Sequence, residues 1–409
     1  MSTAEVSRSV VGGAAMAHGV IEQVARGSAD LATQTDTAAR LPQTPVYNLA
    51  SRRRLPKHAP IGDPMTKLSM NEDLPFDEAT TPPRVSTGEL PTHAEVRQFV
   101  TDAYERYRGD NSGTVADYIP VLSEASPDLF GISVVGPWGR SFEIGDVDER
   151  FSIQSVSKPF VFALVCDAIG YEAARLRLGV NSTGFPFNSL MAVELNAERT
   201  MNPLVNAGAM ATTSLVPGAT PDQKWESIRE RLSMFAGREL TINAEVYASE
   251  SATNMRNQGI AHLLKSYERL YFDPDETTDI YTRQCSLDVT VHDLAVMAAT
   301  LANGGVNPTT GETVIRPGVC RRVLAVMASA GLYELSGDWL YQIGVPGKSG
   351  VSGGIVTVSP GKGGLATYSP PLDAAGNSFR GQLATKYLAE RLGLNLFASV
   401  PAEGPPPQF

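Results

Sequence analysis

The chain has 409 residues, of which 42% are hydrophobic and 19% charged, and its formal net charge is −10. This is the composition of a globular protein with a sizeable core, in one or two domains plus tails. The acidic balance, with a pI near 5.1, argues against the positive surface that nucleic-acid binding needs. We therefore expect a globular protein without a nucleic-acid partner.

The cysteines, the histidines and the length of the apolar runs further restrict the class of protein. Cys166, Cys285 and Cys320 are widely spaced and odd in number, which is typical of a reducing compartment and not of a disulfide framework. The five histidines show neither H-x-H nor HExxH spacing, so we expect no metal and no cofactor. No apolar run approaches the roughly 20 residues that a transmembrane helix needs. The sequence predicts a soluble protein that does not contact membranes.

The first residues bear on localisation. Residues 10–20 are rich in Ala and Gly and imitate a short secretory segment, but Glu5, Gly12, Gly13 and His18 do not fit one. Acidic residues also offset the arginines that a mitochondrial transit peptide would carry. We expect a cytoplasmic protein and leave a mitochondrial or exported form open.

Residues 1–91 form a predicted extension. Between residues 28 and 91 the chain is polar, rich in Pro, Thr and Asp and without sustained periodicity, which is typical of a disordered or loosely docked segment. The folded part is expected to begin at Thr92, which can cap a helix together with Glu95 as a capping box. Apolar residues on one face extend that helix until Gly109.

Strands and then helices follow in the predicted order. The stretch "LFGISVVGPWGRSFEIGD" alternates on either side of residues 137–140, as two antiparallel strands with a tight connection do. Helical patterns dominate from about residue 160 to 330, including a helix capped by Thr290 and ended at Asn303. After Tyr333, "DWLYQIGV", "GGIVTVSP" and "GGLATYSP" predict strands, and "FRGQLATKYLAERLG" predicts a closing helix.

This order predicts an α+β fold. Strands that are distant in sequence would complete one largely antiparallel sheet flanked by helices, and residues of about 160–330 would form a helical lobe. The expected folded domain spans residues 92–396. Residues 397–409 form a short Pro-rich tail.

The sequence "FSIQSVSKPF" pairs a serine with a lysine three residues later. On a helix, residues i and i+3 share a face, so the Ser155 hydroxyl and the Lys158 amine can meet. Pro159 is tolerated in the first turn of a helix, so Ser155 must lie at or just before a helix N-terminus, where free amides can bind an oxyanion. Lys158 can act as a base only if its pKa falls well below about 10.4. On this motif alone, an N-capping serine beside a solvated lysine is the simpler interpretation.

A second motif favours the catalytic interpretation. The stretch "VPGKSGVSGGI" places Lys348, Ser349 and Gly350 at the head of a strand, which matches the Lys-Thr/Ser-Gly element of serine penicillin-recognising enzymes. The Val351 amide can then supply a second oxyanion donor. A phosphate loop is the alternative, but its first glycine would fall at Gln342 and a strand follows instead of a helix.

Together these motifs resemble the serine-dependent glutaminases of the serine β-lactamase-like fold. The resemblance covers about residues 95–395 and rests on the order of stretches such as "QSVSKPF", "MNPLVNAGAM", "SESATNMRNQGIAHLL", "YTRQCSLDVT", "GLYELSGDW" and "GVPGKSGVSGGI". It implies hydrolysis of L-glutamine to L-glutamate and ammonia through a glutamyl-serine intermediate. It also implies a homo-oligomer, a dimer or a tetramer.

The resemblance implies a role for each matched residue. Ser155 would be the nucleophile and Lys158 its base. The implied substrate-binding residues, besides Ser155, are Tyr118, Asn206, Glu250, Asn257, Tyr281, Tyr333 and Val351. A carboxylate such as Glu250 suits the α-ammonium of the substrate, and neutral amides suit its α-carboxylate. Tyr333 or Tyr281 could relay a proton to the departing ammonia, and Val351 would act through its backbone amide.

Two alternatives stay open at this point. A β-lactamase or D-Ala-D-Ala peptidase shares both lysine motifs, but such enzymes act outside the cytoplasm and a convincing signal peptide is absent. A non-catalytic glutamine sensor on the same fold would bind glutamine without releasing ammonia.

Overall fold

The computed structural model describes residues 91–199 and 201–398. The predicted extension, apart from its last residue, lies outside the described residues, and so do residues 399–409 of the predicted tail. The domain boundaries at residues 92 and 396 therefore stay predictions. Within the described ranges, no helix is long and apolar enough to cross a membrane.

Helices and strands alternate in groups along the described chain. The α-helices are α1 (His93–Tyr107), α2 (Ser157–Ile169), α3 (Tyr171–Leu178), α4 (Leu190–Leu195), α5 (Asn206–Ser214), α6 (Pro221–Ala236), α7 (Ala244–Thr253), α8 (Met255–Ser266), α9 (Pro274–Cys285), α10 (Val291–Ala302), α11 (Pro317–Ala330), α12 (Ser336–Gln342) and α13 (Phe379–Arg391). The strands are β1 (Gly131–Val135), β2 (Ser141–Gly145), β3 (Phe151–Ser152), β4 (Asp288–Val289), β5 (Gly347–Ser349), β6 (Gly354–Ser359) and β7 (Gly363–Tyr368). Short 3₁₀ turns lie at Pro120–Glu124, Gln154–Val156 and Tyr333–Leu335.

Five strands form one antiparallel sheet in the order β2-β1-β7-β6-β5. The β1–β2 hairpin joins the C-terminal strands where β1 pairs with β7, for example Val134 with Leu365. Strands β3 and β4 pair separately, Phe151 with Val289. The prediction that sequence-distant strands complete one antiparallel sheet is therefore confirmed.

Helix α10 separates the sheet from the helical lobe. It begins at the predicted Thr290 cap, whose hydroxyl accepts from the Asp293 amide, and it ends at Asn303. Nearly all of its side chains are buried, as expected for a helix that is apolar on all sides. Gly364 on β7 permits the close packing, because a Cβ there would lie 2.4 Å from the Ala299 nitrogen.

Helices α1 and α13 cover the opposite face of the sheet. Helix α1 begins at the Thr92–Glu95 capping box that the sequence predicts. Val100 from α1, Leu388 from α13 and Ile355 from β6 share one buried cluster. The terminal helices thus complete the layer that shields the sheet from solvent.

One predicted strand is wrong. The stretch "DWLYQIGV" lies in α12 and the loop after it. Trp339 and Ile343, four residues apart, are buried, while Tyr341 between them is 90% exposed. A short apolar run does not distinguish the two periods, and here the i, i+4 spacing determines the burial.

The helical lobe is built around α2. All residues of α2 from Ser157 to Cys166 are buried, and Phe160 meets Phe235 of α6 edge-on with ring centroids 5.0 Å apart. The first turns of this central helix are therefore packed inside the lobe. Ser155 and Lys158 lie at the start of the helix.

Candidate active site

Ser155 lies in the 3₁₀ turn that leads into α2, as the position of Pro159 requires. The turn is tight: Gln154 has a φ of 46°, a left-handed conformation that is unfavourable for a side chain of this size. The Ser157 hydroxyl stabilises it by donating to the Gln154 carbonyl over 2.7 Å. Ser155 itself is 7% exposed.

Lys158 is buried against Ser155. Its Nζ donates to Ser155 Oγ over 2.9 Å and to Asn206 Oδ1 over 2.8 Å. Burial lowers the pKa of Lys158 to about 8, because an ammonium removed from water loses its solvation. The simpler interpretation, a solvated lysine beside a capping serine, is therefore wrong.

Asn206, the first residue of α5, connects Lys158 to two further predicted site residues. Its Nδ2 donates to Asn257 Oδ1 over 3.0 Å. The Tyr281 hydroxyl lies 3.5 Å from Asn206 Oδ1, and the Tyr281 ring centroid is 5.9 Å from Lys158 Nζ. Helices α5, α8 and α9 thus each contribute one polar side chain.

Glu250 of α7 contacts Gln154, the residue before Ser155. Its Oε2 accepts a hydrogen bond from Gln154 Nε2 over 3.2 Å, and Glu250 is buried. Burial raises the pKa of Glu250 to about 7, although the Gln154 hydrogen bond and the Lys158 charge act in the opposite direction. The site therefore holds a carboxyl group that a bound cation would convert to a carboxylate.

Tyr333 and Lys348 meet behind Ser155. Tyr333 has a φ of 57°, and its hydroxyl donates to the Ser349 carbonyl over 3.1 Å. Lys348 Nζ donates to the same carbonyl over 2.6 Å and lies 4.3 Å from the Tyr333 ring centroid. Burial, and then the Lys158 charge, lower the pKa of Lys348 well below its ordinary value. Burial raises the pKa of Tyr333, while a hydrogen bond with Ser155 lowers it.

Val351 lies in the turn between β5 and β6. The sequence places Lys348 to Gly350 at the head of a strand; in the structure Lys348 and Ser349 lie in β5, directly after its first residue, and Gly350 lies in this turn. In the described part of the chain, neither the Val351 amide nor the Ser155 amide donates to a backbone carbonyl. Both amides are available to an oxyanion at Ser155.

These residues surround a cavity of about 120 Å³. The predicted residues that line it are Tyr118, Ser155, Asn206, Glu250, Asn257, Tyr281 and Val351. Tyr118 is 54% exposed. Lys158 and Tyr333 lie behind the lining and are joined to it by the hydrogen bonds described above.

The site also contains residues that are not among the predicted site residues. Gln154 holds Glu250, and its only sequence signal is its place beside Ser155. Lys348 is fully buried and could have been identified from the Lys-Ser-Gly motif. Phe187 lines the cavity and contacts Tyr333 with ring centroids 4.7 Å apart, but no local pattern marks it.

Cys285 also lines the cavity. It is buried, and burial raises the pKa of its thiol. A thiol held in its neutral form is a poor nucleophile, so Cys285 does not compete with Ser155.

The chain matches the model of the family described as Glutaminase over residues 113–397. Glutaminase 2 of Yersinia pestis is 56% identical over 331 residues, which cover 80% of this chain and 97% of that protein. Among solved structures, the probable glutaminase ybaS is 43% identical with a TM-score of 0.75, over 76% of this chain and all of that chain. Mglu in its glutamate form is 41% identical with a TM-score of 0.70, over 74% of this chain and 70% of that one.

These similarities confirm the predicted fold class, an antiparallel sheet flanked by helices in the serine β-lactamase-like arrangement of glutaminases. They also confirm the predicted kind of enzyme. The chain belongs to the glutaminase family of hydrolases that act on glutamine.

Proposed function

We propose that this chain hydrolyses L-glutamine to L-glutamate and ammonia through a glutamyl-serine acyl-enzyme. The observation that carries the proposal is the 2.9 Å contact between buried Lys158 Nζ and Ser155 Oγ. A buried lysine with a pKa of about 8 is partly neutral at physiological pH, so it can take the serine proton. The glutamate form of Mglu supports an amino-acid ligand in this cavity.

The substrate is proposed to bind through its α-amino and α-carboxylate groups. Glu250 pairs with the α-ammonium, and the approaching cation lowers the pKa of Glu250 so that it ionises. The amides of Asn206 and Asn257 and the Tyr118 hydroxyl bind the α-carboxylate as neutral donors. Held at both groups, the substrate directs its side-chain amide towards Ser155.

Acylation begins when neutral Lys158 removes the Ser155 proton. Ser155 Oγ forms a bond to the amide carbon, and the amides of Ser155 and Val351 bind the resulting oxyanion. The C–N bond then breaks, and the nitrogen leaves as ammonia after gaining one proton. Tyr333 is the proposed donor, because it lies beside Ser155, and it is replenished from the Lys158 ammonium.

Deacylation follows the same path with water as the nucleophile. Neutral Lys158 takes a proton from water, the hydroxide oxygen bonds to the ester carbon, and the same two amides bind the second oxyanion. The ester C–O bond breaks, Ser155 regains its proton from Lys158, and L-glutamate leaves. One water molecule is consumed and one ammonia released in each cycle.

Release of ammonia and L-glutamate from purified protein tests the proposal. L-glutamine should be turned over, Ser155→Ala should be inactive, and Ser266→Ala on the surface of α8 should retain full activity. L-asparagine in parallel measures discrimination by side-chain length. An active Ser155→Ala variant contradicts the proposal, glutamine binding without ammonia release in the unmodified protein favours a sensor, and labelling of Ser155 by a fluorescent penicillin favours a penicillin-recognising enzyme.

A homo-oligomer, either a dimer or a tetramer, remains our prediction for the assembly. Exposed apolar side chains on α4 and at the start of α8 support it: Met191, Leu195 and Met255 are each more than half exposed. Met191 and Leu195, at positions i and i+4, lie on one face of α4, and contiguous apolar surface is typical of subunit contacts. Light scattering on the full chain tests the assembly directly. Cytoplasmic localisation likewise remains a prediction.

A further inference from the structure

A second cavity of about 380 Å³ lies beside the substrate cavity. Its lining is mainly apolar and includes Leu122, Leu129, Phe151, Val246 and Tyr368. The rings of Phe151 and Tyr368 stack with centroids 3.8 Å apart and form the aromatic part of this lining. This cavity is larger than the substrate cavity, and the proposed reaction does not use it.

The two cavities share walls. Val351, whose amide is the proposed oxyanion donor, lines both of them. Helix α7 contributes Val246 to the second cavity and, one turn later, Glu250 to the substrate cavity. Residues i and i+4 lie on one face of a helix, so a ligand in the second cavity would contact, at Val246, the same helix face that holds Glu250.

Two more segments connect the cavities. The segment of residues 115–126 lines the substrate cavity with Tyr118 and the second cavity with Leu122. Ser152, in the second cavity, accepts from Gln154 Nε2 over 3.3 Å, and the same amide donates to Glu250 Oε2 over 3.2 Å. Two hydrogen bonds therefore link the second cavity to the proposed ammonium site.

The second cavity also contains an unsatisfied polar group. Ser352 is 6% exposed, and its Oγ has no hydrogen-bond partner within the described residues. A buried hydroxyl without a partner is unfavourable. Ser352 lines the cavity, so a polar atom of a ligand can satisfy it.

The charged residues at the rim of the second cavity disfavour the binding of anions. Glu124, Glu149 and Arg150 line the cavity and are exposed, so two carboxylates stand against one guanidinium. The formal charge of the whole chain, −10, acts in the same direction. Phosphate and carboxylates are therefore poor candidates for this cavity.

We propose that the second cavity binds a small amphipathic molecule, with an aromatic or branched apolar body and one amine or hydroxyl group, and that its occupancy changes the affinity for glutamine. The apolar body packs on Phe151 and Tyr368. The polar group bonds to Ser352 or Ser152, and an amine is further favoured by Glu124 and Glu149. The effect on glutamine rests on the proposed function, whereas the binding itself does not.

Three probes with the same ring but different charge test the binding. They are phenethylamine, phenethyl alcohol and phenylacetate, titrated into the full chain and followed by calorimetry and by the shift in melting temperature. We expect the amine and the alcohol to bind saturably and phenylacetate to bind at least about tenfold more weakly, because the rim glutamates attract the ammonium of the amine and repel the carboxylate of phenylacetate. Absence of binding by both the amine and the alcohol, or equal binding of all three, overturns the proposal.

Matched variants locate the site. Glu149→Lys should weaken amine binding several-fold, while Glu312→Lys, an exposed residue outside the lining with the same charge change, should not alter it. Leu129→Trp fills the cavity and should abolish binding of both the amine and the alcohol. If Leu129→Trp fails to fold, the comparison of Glu149→Lys with Glu312→Lys still tests where the amine binds. Both residues are exposed, so neither substitution should disturb the fold. Equal amine affinity in both lysine variants overturns the assignment.

The effect on the substrate is measured last. Saturating phenethylamine should change the glutamine KM by at least about threefold in the unmodified protein and leave it unchanged in Leu129→Trp. Probe binding with an unchanged KM overturns the coupling between the cavities. Because calorimetry needs no turnover, an inactive protein would refute the proposed function without deciding the binding claim.

Discussion

Lys348 and Tyr333 donate to the same backbone oxygen, the Ser349 carbonyl, over 2.6 and 3.1 Å. The two hydrogen bonds hold both donors at one oxygen, and the Lys348 amine also lies over the Tyr333 ring. The pair therefore sets where the Tyr333 hydroxyl stands relative to Ser155. The proposed proton relay depends on this position.

Replacement of Lys348 by Met should lower kcat by about 10- to 100-fold while KM changes little, because a relay that has moved affects the proton-transfer steps and not substrate binding. The rising limb of the pH–rate profile should keep its pKa, since Lys158 is still present. Lys362→Met, which removes a half-buried lysine outside the cavity lining, is the control. A Lys348→Met enzyme with unchanged kcat would show that the shared carbonyl contact is only structural.

The pH dependence of kcat/KM should report Lys158 in the free enzyme. As the base, Lys158 must be neutral, and its pKa of about 8 leaves only about one tenth neutral at pH 7. The ratio kcat/KM should therefore rise about tenfold between pH 7 and pH 9 and level off above. A profile that is flat from pH 6 to pH 9 would exclude Lys158 as the base.

Asn206→Asp should move this rising limb to higher pH. Asn206 Oδ1 accepts from Lys158 Nζ over 2.8 Å, so an aspartate there places a negative charge beside the ammonium and stabilises it. We expect the apparent pKa to increase by at least about one unit, with lower activity at pH 7 that is partly recovered at pH 9. Asn202→Asp, at a buried asparagine outside the cavity lining, is the comparison; an unshifted limb in Asn206→Asp argues against a base at Lys158.

Glu250→Gln should act mainly on substrate affinity. The amide keeps the shape of the side chain but cannot neutralise the α-ammonium. We expect the glutamine KM to rise at least about tenfold with a smaller change in kcat, measured by steady-state ammonia release. An unaltered KM would remove Glu250 from the ammonium site.

The same variant should be more stable at alkaline pH. The pKa of Glu250 is raised by burial to about 7, so the folded state loses stability as the pH rises from about 4.5 to 7 and the carboxylate forms. At pH 8, Glu250→Gln should raise the free energy of unfolding by about 1–3 kcal/mol, and the gain should vanish at pH 4. Urea unfolding at both pH values, with Glu312→Gln as control, measures it; a loss of stability at pH 8 would mean that the charged form is favoured.

Much of the fold follows from local signals. The capping boxes at Thr92 and Thr290 and the glycines after Asn303 fix helix ends by hydrogen bonds within a few residues, so they are visible in the sequence. The sequence predicts a strand where α12 lies, because only the packing partners of such a short apolar stretch distinguish a helix from a strand. Trp339 Nε1 donates to the Val345 carbonyl over 2.7 Å, a contact that the pattern of apolar residues does not encode.

The residues of the candidate site also fall into two groups: those that local signals predict and those whose roles depend on distant contacts. Ser155 and Lys158 lie three residues apart and could be paired from helix geometry alone. Asn206, Glu250 and Tyr333 could be assigned only through the family resemblance, since contacts across 50 to 180 residues leave no local periodicity. Gln154 and Phe187 were missed because their roles depend on a left-handed φ and on ring packing, neither of which composition indicates.

The most direct test of the account is to trap the proposed intermediate. The protein is mixed with L-glutamine, quenched with acid within milliseconds, and its intact mass and peptides are measured, with Ser155→Ala treated identically. The account predicts a glutamyl group on the peptide that contains Ser155, in the unmodified protein alone, formed before steady state is reached. A variant that lacks Ser155 yet releases ammonia, or a glutamyl group on another residue, would contradict it.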